Sequence, residues 1–152
     1  MLSPHARKTC LVCNSSELLP LMWIMQEGKL HGSLSHKYMY ECKTIVGCTR
    51  CNHSHIEVYS HDCWNVPEYE DWDMYWWYVL DPGNTLKLRK FIDACAIPLE
   101  PSCNCSRHTV LRLACTGLPG NIQHVTKPHD RPSYAKLIID IENGQPVFRL
   151  EK

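Results

Sequence analysis

The residues best suited to chemistry in this chain are two cysteine pairs of identical spacing, Cys10-Leu-Val-Cys13 and Cys48-Thr-Arg-Cys51. Two intervening residues let a single turn direct both thiolates of a pair at one ion. Two such turns supply four sulfur ligands, the closed tetrahedral set that Zn²⁺ prefers when its role is structural. The spacing therefore predicts a four-cysteine zinc site that organises the fold. The alternative is two unrelated pairs of core or disulfide cysteines.

A second group of metal-binding residue types lies between two segments that we predict to be helical. Its members are Cys95, Cys103, Cys105 and His108. Three sulfurs and one imidazole nitrogen form a known structural zinc set. A second zinc ion there would join the end of one helix to the start of the next. Cys115 is an alternative fourth ligand in place of His108, and the whole group is alternatively a set of small buried core cysteines.

A third group of metal-binding types follows the second cysteine pair and consists of His53, His55, His61 and Cys63. These residues also suit zinc or iron. However, alternate residues of a strand share one face, so the spacing of the first two histidines is equally typical of side chains that flank a ribbon. We favour this second interpretation.

Enzyme signatures are weak throughout the chain. His55-Ile-Glu57 matches the His-x-Glu element of zinc deaminases, but that family pairs it with Pro-Cys-x-x-Cys. Here Pro101-Ser-Cys103-Asn-Cys105 has a different spacing, which argues against deamination. The chain also has no nucleophile elbow and no glycine-rich phosphate-binding loop. We therefore expect a protein that is not an enzyme and has no catalytic residues.

The compartment follows from the cysteines and from the apolar segments. The chain contains ten cysteines. Arg7 and Lys8 near the start are not followed by an apolar run, so we expect no secretory signal. No stretch of about 18 apolar residues is present, so we expect no membrane partner. We therefore expect a cytoplasmic location. In that reducing compartment, paired cysteines are more often metal ligands than disulfides.

The charge balance bears on the kind of partner. Sixteen basic and 16 acidic residues give a formal net charge of zero. DNA-binding domains usually carry a basic excess, because neutralisation of phosphates supplies much of their affinity. A nucleic-acid partner is therefore less favoured than a protein partner.

Acidic and aromatic residues are concentrated in the middle of the chain. Residues 67–81 hold five acids and neither Lys nor Arg, and residues 61–81 hold four of the five tryptophans. Trp and Tyr are enriched in interface hot spots, and carboxylates beside them accelerate capture of a basic partner. Alternatively, the aromatic residues form the core and the acids are its solvated face. We predict a partner-binding surface, here called the acidic-aromatic segment, made of Glu68, Glu70, Asp71, Trp72 and Asp73.

Strand, turn and helix signals together predict an α+β protein. An N-terminal zinc ribbon packs on two short helices and a C-terminal β-hairpin. Residues 74–80 fit either a strand or one side of a helix. The signals are alternating apolar segments at 37–42 and 54–60, the Asp81-Pro82 and Ser106 helix starts, and Asn143-Gly144 between two apolar runs. We assign residues 1–66 to a zinc-ribbon lobe and 67–152 to an aromatic-core α+β lobe, packed as one compact unit.

A family resemblance rests on three runs that follow the first cysteine pair. They are Cys48-x-x-Cys51-x-His53-x-His55-Ile-Glu57, His61-Asp62-Cys63-Trp64 and Asp71-Trp72-Asp73-Met74-Tyr75-Trp76-Trp77-Tyr78. Together they resemble small bacterial zinc-ribbon proteins of the toxin-immunity type, over roughly residues 10–116. The resemblance implies a non-enzymatic inhibitor that sequesters a toxin, and it assigns no individual binding residue.

Two functional hypotheses follow. The first is a protein-binding module, most concretely an immunity-type inhibitor that neutralises a partner toxin by occluding its basic cleft. The alternative is a nucleic-acid-binding zinc-ribbon regulator, whose basic face would consist of Lys87, Arg89, Lys90, Arg107 and Arg112.

Overall fold

The computed structural model describes residues 7–31, 34–64, 72–116, 118 and 134–151, with side chains outside 26–40, 61–74 and 116. These residues form a six-stranded sheet and two helices. The strands are β1 (Leu18–His31), β2 (Leu34–Cys48), β3 (Ser54–Trp64), β4 (Trp72–Leu80), β5 (Ala135–Glu142) and β6 (Gln145–Leu150). The helices are α1 (Pro82–Ile92) and α2 (Ser106–Thr116), which lie between β4 and β5 in the chain. The predicted α+β class is confirmed.

The strands lie side by side in chain order, and every neighbouring pair is antiparallel except one. β4 and β5 are parallel and pair over three residues, from Tyr78↔Ala135 to Leu80↔Leu137. Parallel neighbours need a crossover connection, and the segment that contains α1 and α2 supplies it. The sheet runs without a break across the predicted boundary at residues 66 and 67, and the division into two lobes stays a prediction.

The main hydrophobic core lies between the helices and one face of the sheet. Ile45, Ile56 and Leu80 point to this face from β2, β3 and β4 and are fully buried. They pack with Leu88 of α1 and Leu111 of α2, which are also fully buried. Burial of this apolar surface is the main stabilising term of the fold.

The opposite face of the central strands is buried as well, but its composition is mixed. Val46, His55, Glu57 and Trp77 are all at most 5% exposed. The guanidinium carbon of Arg7 lies 5.8 Å from the centre of the Trp77 ring, so part of the cover comes from the chain before β1. This second buried face therefore contains two ionisable side chains, His55 and Glu57, close to the first cysteine cluster.

β1 was not predicted, because residues 18–25 are continuously apolar and include Pro20. The strand pairs with β2 but contains register shifts on both sides of Trp23, between Pro20 and Met22 and between Trp23 and Met25. Proline is tolerated in edge strands and at bulges. Because β1 is an edge strand, its backbone can also bind partners outside the sheet, and the N–H of Trp23 donates to the carbonyl of Pro98 at 2.9 Å.

The predicted local signals of the second half have clear structural counterparts. Asp81 caps α1 by accepting from the backbone N–H of Asn84 at 2.8 Å, and Pro82 occupies the first helical turn. Asn143 and Gly144, with φ values of 53° and 75°, form the turn between β5 and β6. Both angles suit the turn type that Asn-Gly favours. Neither helix that the structure describes has the length and apolarity needed to cross a membrane.

Asn84 links the start of α1 to β5, and this link generates a prediction. Its side-chain oxygen accepts from the backbone N–H of Ile139 at 3.0 Å, two residues beyond the last parallel pair. We expect Asn84→Ala to lower the free energy of unfolding by about 1–2 kcal/mol, because the strand N–H loses its acceptor. Chemical denaturation would measure the change. The exposed Lys87 of the same helix provides a control, and an equal loss in Lys87→Ala would contradict the assignment.

Candidate metal centres

The first cysteine cluster lies at one end of the sheet, where β2 turns into β3. Cys48 ends β2, Cys51 precedes β3, and the chain before β1 brings Cys10 and Cys13 to the same place. All four sulfurs lie within 4.8 Å of one another. The Cys10–Cys51 and Cys13–Cys48 sulfur distances are both 3.6 Å. The group has the ligand number and spacing of a tetrahedral metal site.

The two turns of this cluster share one backbone design. The N–H of the first cysteine donates to the residue five positions later, Cys10 to Ser15 at 2.8 Å and Cys48 to His53 at 2.9 Å. Each turn then places an asparagine after its second cysteine in the left-handed region. These are Asn14 with φ 61° and Asn52 with φ 62°. Asparagine tolerates this conformation better than most residues, so an asparagine after each pair is a sequence signal for this turn, which our prediction from cysteine spacing did not use.

The protonation of these thiols differs because their backbone environments differ. Burial raises the pKa of Cys48, but N–H groups of Cys51 and Arg50 outweigh burial and bring it down to about 7. Burial dominates at Cys51 and raises its pKa to about 12, and it also raises the pKa of Cys10. A metal ion binds cysteine as thiolate, so metal binding here must release protons.

The second cluster joins the chain after α1 to the start of α2. Nδ1 of His108 lies 3.2 Å from the sulfur of Cys95 and 3.5 Å from that of Cys105. Cys103 completes the group, its sulfur 3.9 Å from that of Cys95. We predicted either His108 or Cys115 as the fourth member of this group, and the structure places His108 there. Cys115 lies instead in the main core, where burial raises its pKa to about 12.

His108 is oriented by β1. Its Nε2 lies 3.1 Å from the backbone oxygen of Trp23, to which a protonated Nε2 donates. That hydrogen bond leaves Nδ1 with a lone pair directed at the three sulfurs, an arrangement commonly found for metal-binding histidines. The edge position of β1 thus has a consequence at this site, because it leaves the Trp23 carbonyl available to a partner outside the sheet.

The start of α2 shapes the second cluster electrostatically. The backbone N–H of His108 donates to the sulfur of Cys105 at 3.4 Å. This bond is the main reason why the pKa of Cys105 is lowered, to about 6. Burial instead raises the pKa of Cys95 to about 11. The cluster therefore combines a readily ionised thiol with one that a metal ion must deprotonate.

Arg112 holds the loop of the second cluster against the sheet. Its side chain donates to the backbone oxygens of Pro101, Cys103 and Ile24, the last at 2.9 Å. Arg112 and His108 are one turn apart on α2, and both bind backbone oxygens of β1. We predicted that Arg112 would contribute to a basic face, and nothing in the sequence indicates these carbonyl partners.

The third predicted group is only partly described. His55 is fully buried on β3, and its Nε2 lies 3.6 Å from the sulfur of Cys10. His53 lies at the start of β3 with Nδ1 3.2 Å from the backbone oxygen of Cys51. The side chains of His61 and Cys63 lie outside the described residues. The two described histidines therefore lie beside the first cluster, and the role of the whole group stays a prediction.

Two buried ionisable groups lie side by side behind the first cluster. Burial raises the pKa of Glu57 to about 8, although the backbone N–H and the charge of Arg7 act in the opposite direction. Burial also lowers the pKa of His55 to about 4. Both side chains are therefore neutral over a broad range below pH 8 and above pH 4.

The acidic-aromatic segment falls largely beyond the described residues. Glu68, Glu70 and Asp71 lie outside them. Trp72 and Asp73 begin β4, and only their backbone is described. The predicted partner-binding surface therefore stays a prediction.

Comparison with known proteins gives no relative. No protein-family model matches the chain, and no curated protein and no solved structure matches it.

The position of Arg112 generates a prediction for the second cluster. We expect Arg112→Gln to weaken metal binding there by about 10-fold, because residues that support ligands typically contribute this much. Competition between the protein and a chelator, followed with Co²⁺ as probe, would measure the loss. Arg89→Gln, an equal charge change at an exposed position of α1, is the matched control. Unchanged affinity in the Arg112 variant would show that the loop needs no support.

Glu57 generates a prediction on pH dependence. Its folded-state pKa of about 8 lies above the ordinary value of 4.5, so its contribution to stability is complete below pH 4.5 and is lost as pH rises from 4.5 through 8. Glu57→Gln removes this titration. We expect the variant to gain about 1–3 kcal/mol relative to wild type between pH 6 and pH 8.

The measurement is denaturation at both pH values with zinc in excess. Glu17→Gln, at an exposed position, is the control and should track the wild type. A Glu57 variant that also tracks the wild type would show that this carboxyl titrates normally.

Proposed function

We propose that the protein is a non-enzymatic binding module stabilised by two structural zinc ions. The observation that carries this proposal is that each cluster already brings four protein ligands together, all within 4.8 Å. A zinc ion with four protein ligands has no open position for water or substrate, in contrast to a catalytic zinc ion. Mixed sulfur and nitrogen ligands in the second cluster favour zinc over iron.

The buried positions of the ligands support a structural role. Cys10 and Cys48 of the first cluster and Cys95 and His108 of the second are buried. The other four ligands, Cys13, Cys51, Cys103 and Cys105, are partly exposed, so it is the complete set of four protein ligands that leaves a substrate no open position. The first cluster also joins segments that are distant in sequence, and the second joins the chain after α1 to the start of α2, so an ion at either place would stabilise the fold.

The finer proposal is an immunity-type inhibitor that neutralises a toxin by occlusion. The acidic-aromatic segment spans the connection between β3 and β4 together with the start of β4. β3 starts beside the first cluster and continues for 11 residues, which at about 3.3 Å per residue places its far end some 30 Å away. Trp72 and Asp73 of the segment pair with Asp62 and His61 near that far end. The zinc sites would thus stabilise the sheet at the end opposite to these two residues.

The nucleic-acid alternative has less support from the described side chains. Arg112 is committed to three backbone oxygens. The guanidinium of Arg107 lies over Phe91, 4.3 Å from its ring centre. Lys87, Arg89 and Lys90 are exposed on α1, but three charges on one helix give little of the phosphate neutralisation that drives such binding.

Native mass spectrometry of the purified protein tests the metal part of the proposal, and charge reversal tests the partner. We expect two zinc ions per chain. We also expect capture of a basic protein from lysate of the native host, lost when Glu70, Asp71 and Asp73 are all changed to Lys. Attraction to a basic cleft then becomes repulsion, so affinity should fall by more than 100-fold.

The control carries the same charge change at exposed acids elsewhere, in the triple variant Glu17→Lys, Asp93→Lys, Glu151→Lys. It should bind the partner as wild type does. The captured protein, expressed alone, should arrest growth, and co-expression of the wild-type chain should relieve the arrest. A chain without zinc would refute the structural-metal proposal. Nucleic acid in place of a protein, bound more weakly as salt rises, would favour the alternative.

A further inference from the structure

His55 touches the first metal centre without belonging to its four ligands. Its side chain is fully buried, and its Nε2 lies 3.6 Å from the sulfur of Cys10 and 3.4 Å from the backbone nitrogen of Leu11. These two neighbours require opposite states of Nε2. The Leu11 N–H needs a bare nitrogen that accepts, whereas a thiolate needs an N–H that donates.

A bound metal decides between the two states. A cysteine that binds a metal is a thiolate, which accepts hydrogen bonds and cannot donate them. Four thiolates around one divalent ion also leave a net charge of about −2, which nearby N–H donors stabilise. The N–H of Val12 already donates to the sulfur of Cys10 at 3.3 Å, and His55 approaches the same sulfur from β3.

We propose that His55 is a positioning residue of the first metal centre, and that its Nε2–H donates to the Cys10 thiolate when the metal is bound. This inference rests on the proposed function, because it requires an ion at the four-cysteine cluster. The role that we propose for His55 is to slow the release of that ion. The second cluster has its own oriented histidine, which is a direct ligand, so the two centres would use histidine in different ways.

Glu57 supplies the other half of the arrangement. It lies two residues beyond His55 on the same face of β3. Its Oε1 and the Nδ1 of His55 are buried, and neither has a hydrogen-bond partner among the described residues. A carboxyl O–H that donates to Nδ1, directly or through one water, satisfies both atoms and keeps the ring proton on Nε2. Carboxyl groups orient metal-binding histidines in a comparable way.

Metal release tests the role of His55, with His55→Gln and His55→Leu as a matched pair. Glutamine places an amide N–H close to the position of Nε2, whereas leucine fills similar space without a donor. We expect the Leu variant to lose zinc from the four-cysteine centre to a chelator about 10- to 100-fold faster than wild type. The Gln variant should stay within a few-fold of wild type.

The second centre of the same molecule is the internal control, since cobalt spectra distinguish four sulfurs from three sulfurs and one nitrogen. Its release rate should not change in either variant. Equal acceleration at both centres would reduce His55 to a packing residue and overturn the proposal. Unchanged release from the first centre in the Leu variant would also overturn it.

The tautomer of His55 gives a second readout, which a packing role does not predict. Nitrogen NMR of zinc-loaded wild-type protein with labelled histidine should show His55 with its proton on Nε2. A proton on Nδ1 would contradict the proposal even if the variants lost zinc quickly. A protein that takes up no zinc at the four cysteines would instead refute the proposed function, so the two failures are distinguishable.

Discussion

Convergence of four thiols from two turns is the constraint on which the rest of the structure depends. Residues 10–13 and 48–51 are separated by the whole of β1 and β2, and bringing them together closes a loop of more than 30 residues at an entropic cost. Contacts among four thiols contribute little stability to offset this cost. Burial also raises the pKa values of Cys10 and Cys51, so these thiols are harder to ionise. A divalent cation bound by the four thiolates would reverse this balance, since its binding energy becomes folding energy.

The second cluster depends on the edge position of β1. Trp23 lies between two register shifts, and both of its backbone groups bind outside the sheet, the N–H to Pro98 and the carbonyl to His108. Regular pairing with a further strand would have consumed them. The loop of the cluster therefore covers this part of an edge strand, which would otherwise present unpaired groups to other chains. The contacts of Trp23 with this loop and with His108 thus orient the histidine and also cover the edge of the sheet.

Local chemistry explains which features were predictable from sequence. The start of α1 at Asp81-Pro82 and the Asn143-Gly144 turn depend on backbone preferences of a few adjacent residues, and the structure has both. The cysteine groupings were predictable for a related reason, because ligand type and spacing are local. β1 was not, since its apolar run and Pro20 give no alternation, and its irregular edge position is set by distant residues.

The hydrogen-bond partners of Arg112 could not be predicted from the sequence either. An arginine on a predicted helix has the pattern of a surface charge, and only the tertiary placement of the Cys103 loop and β1 supplies its three acceptors. The burial of His55 and Glu57 was hidden for the same reason. The alternation of residues along β3 predicts that one face of the strand is exposed to solvent. In the structure, the chain before β1 covers that face. The sequence of β3 does not show that a segment distant in sequence will cover it.

The two clusters both contact β1, at points five residues apart. The first turn leads directly into the strand at Leu18, and the second cluster binds the strand at Trp23 and Ile24. Five residues of strand span about 17 Å. Sites more than about 10 Å apart that share no partner usually contribute additively to stability. An ion at the first centre would fix the start of β1, whereas an ion at the second would hold the same strand from its outer edge, through Trp23 and Ile24. The two ions would therefore stabilise neighbouring parts of one edge strand as separate contributions, so that loss of one ion leaves the ligands of the other in place.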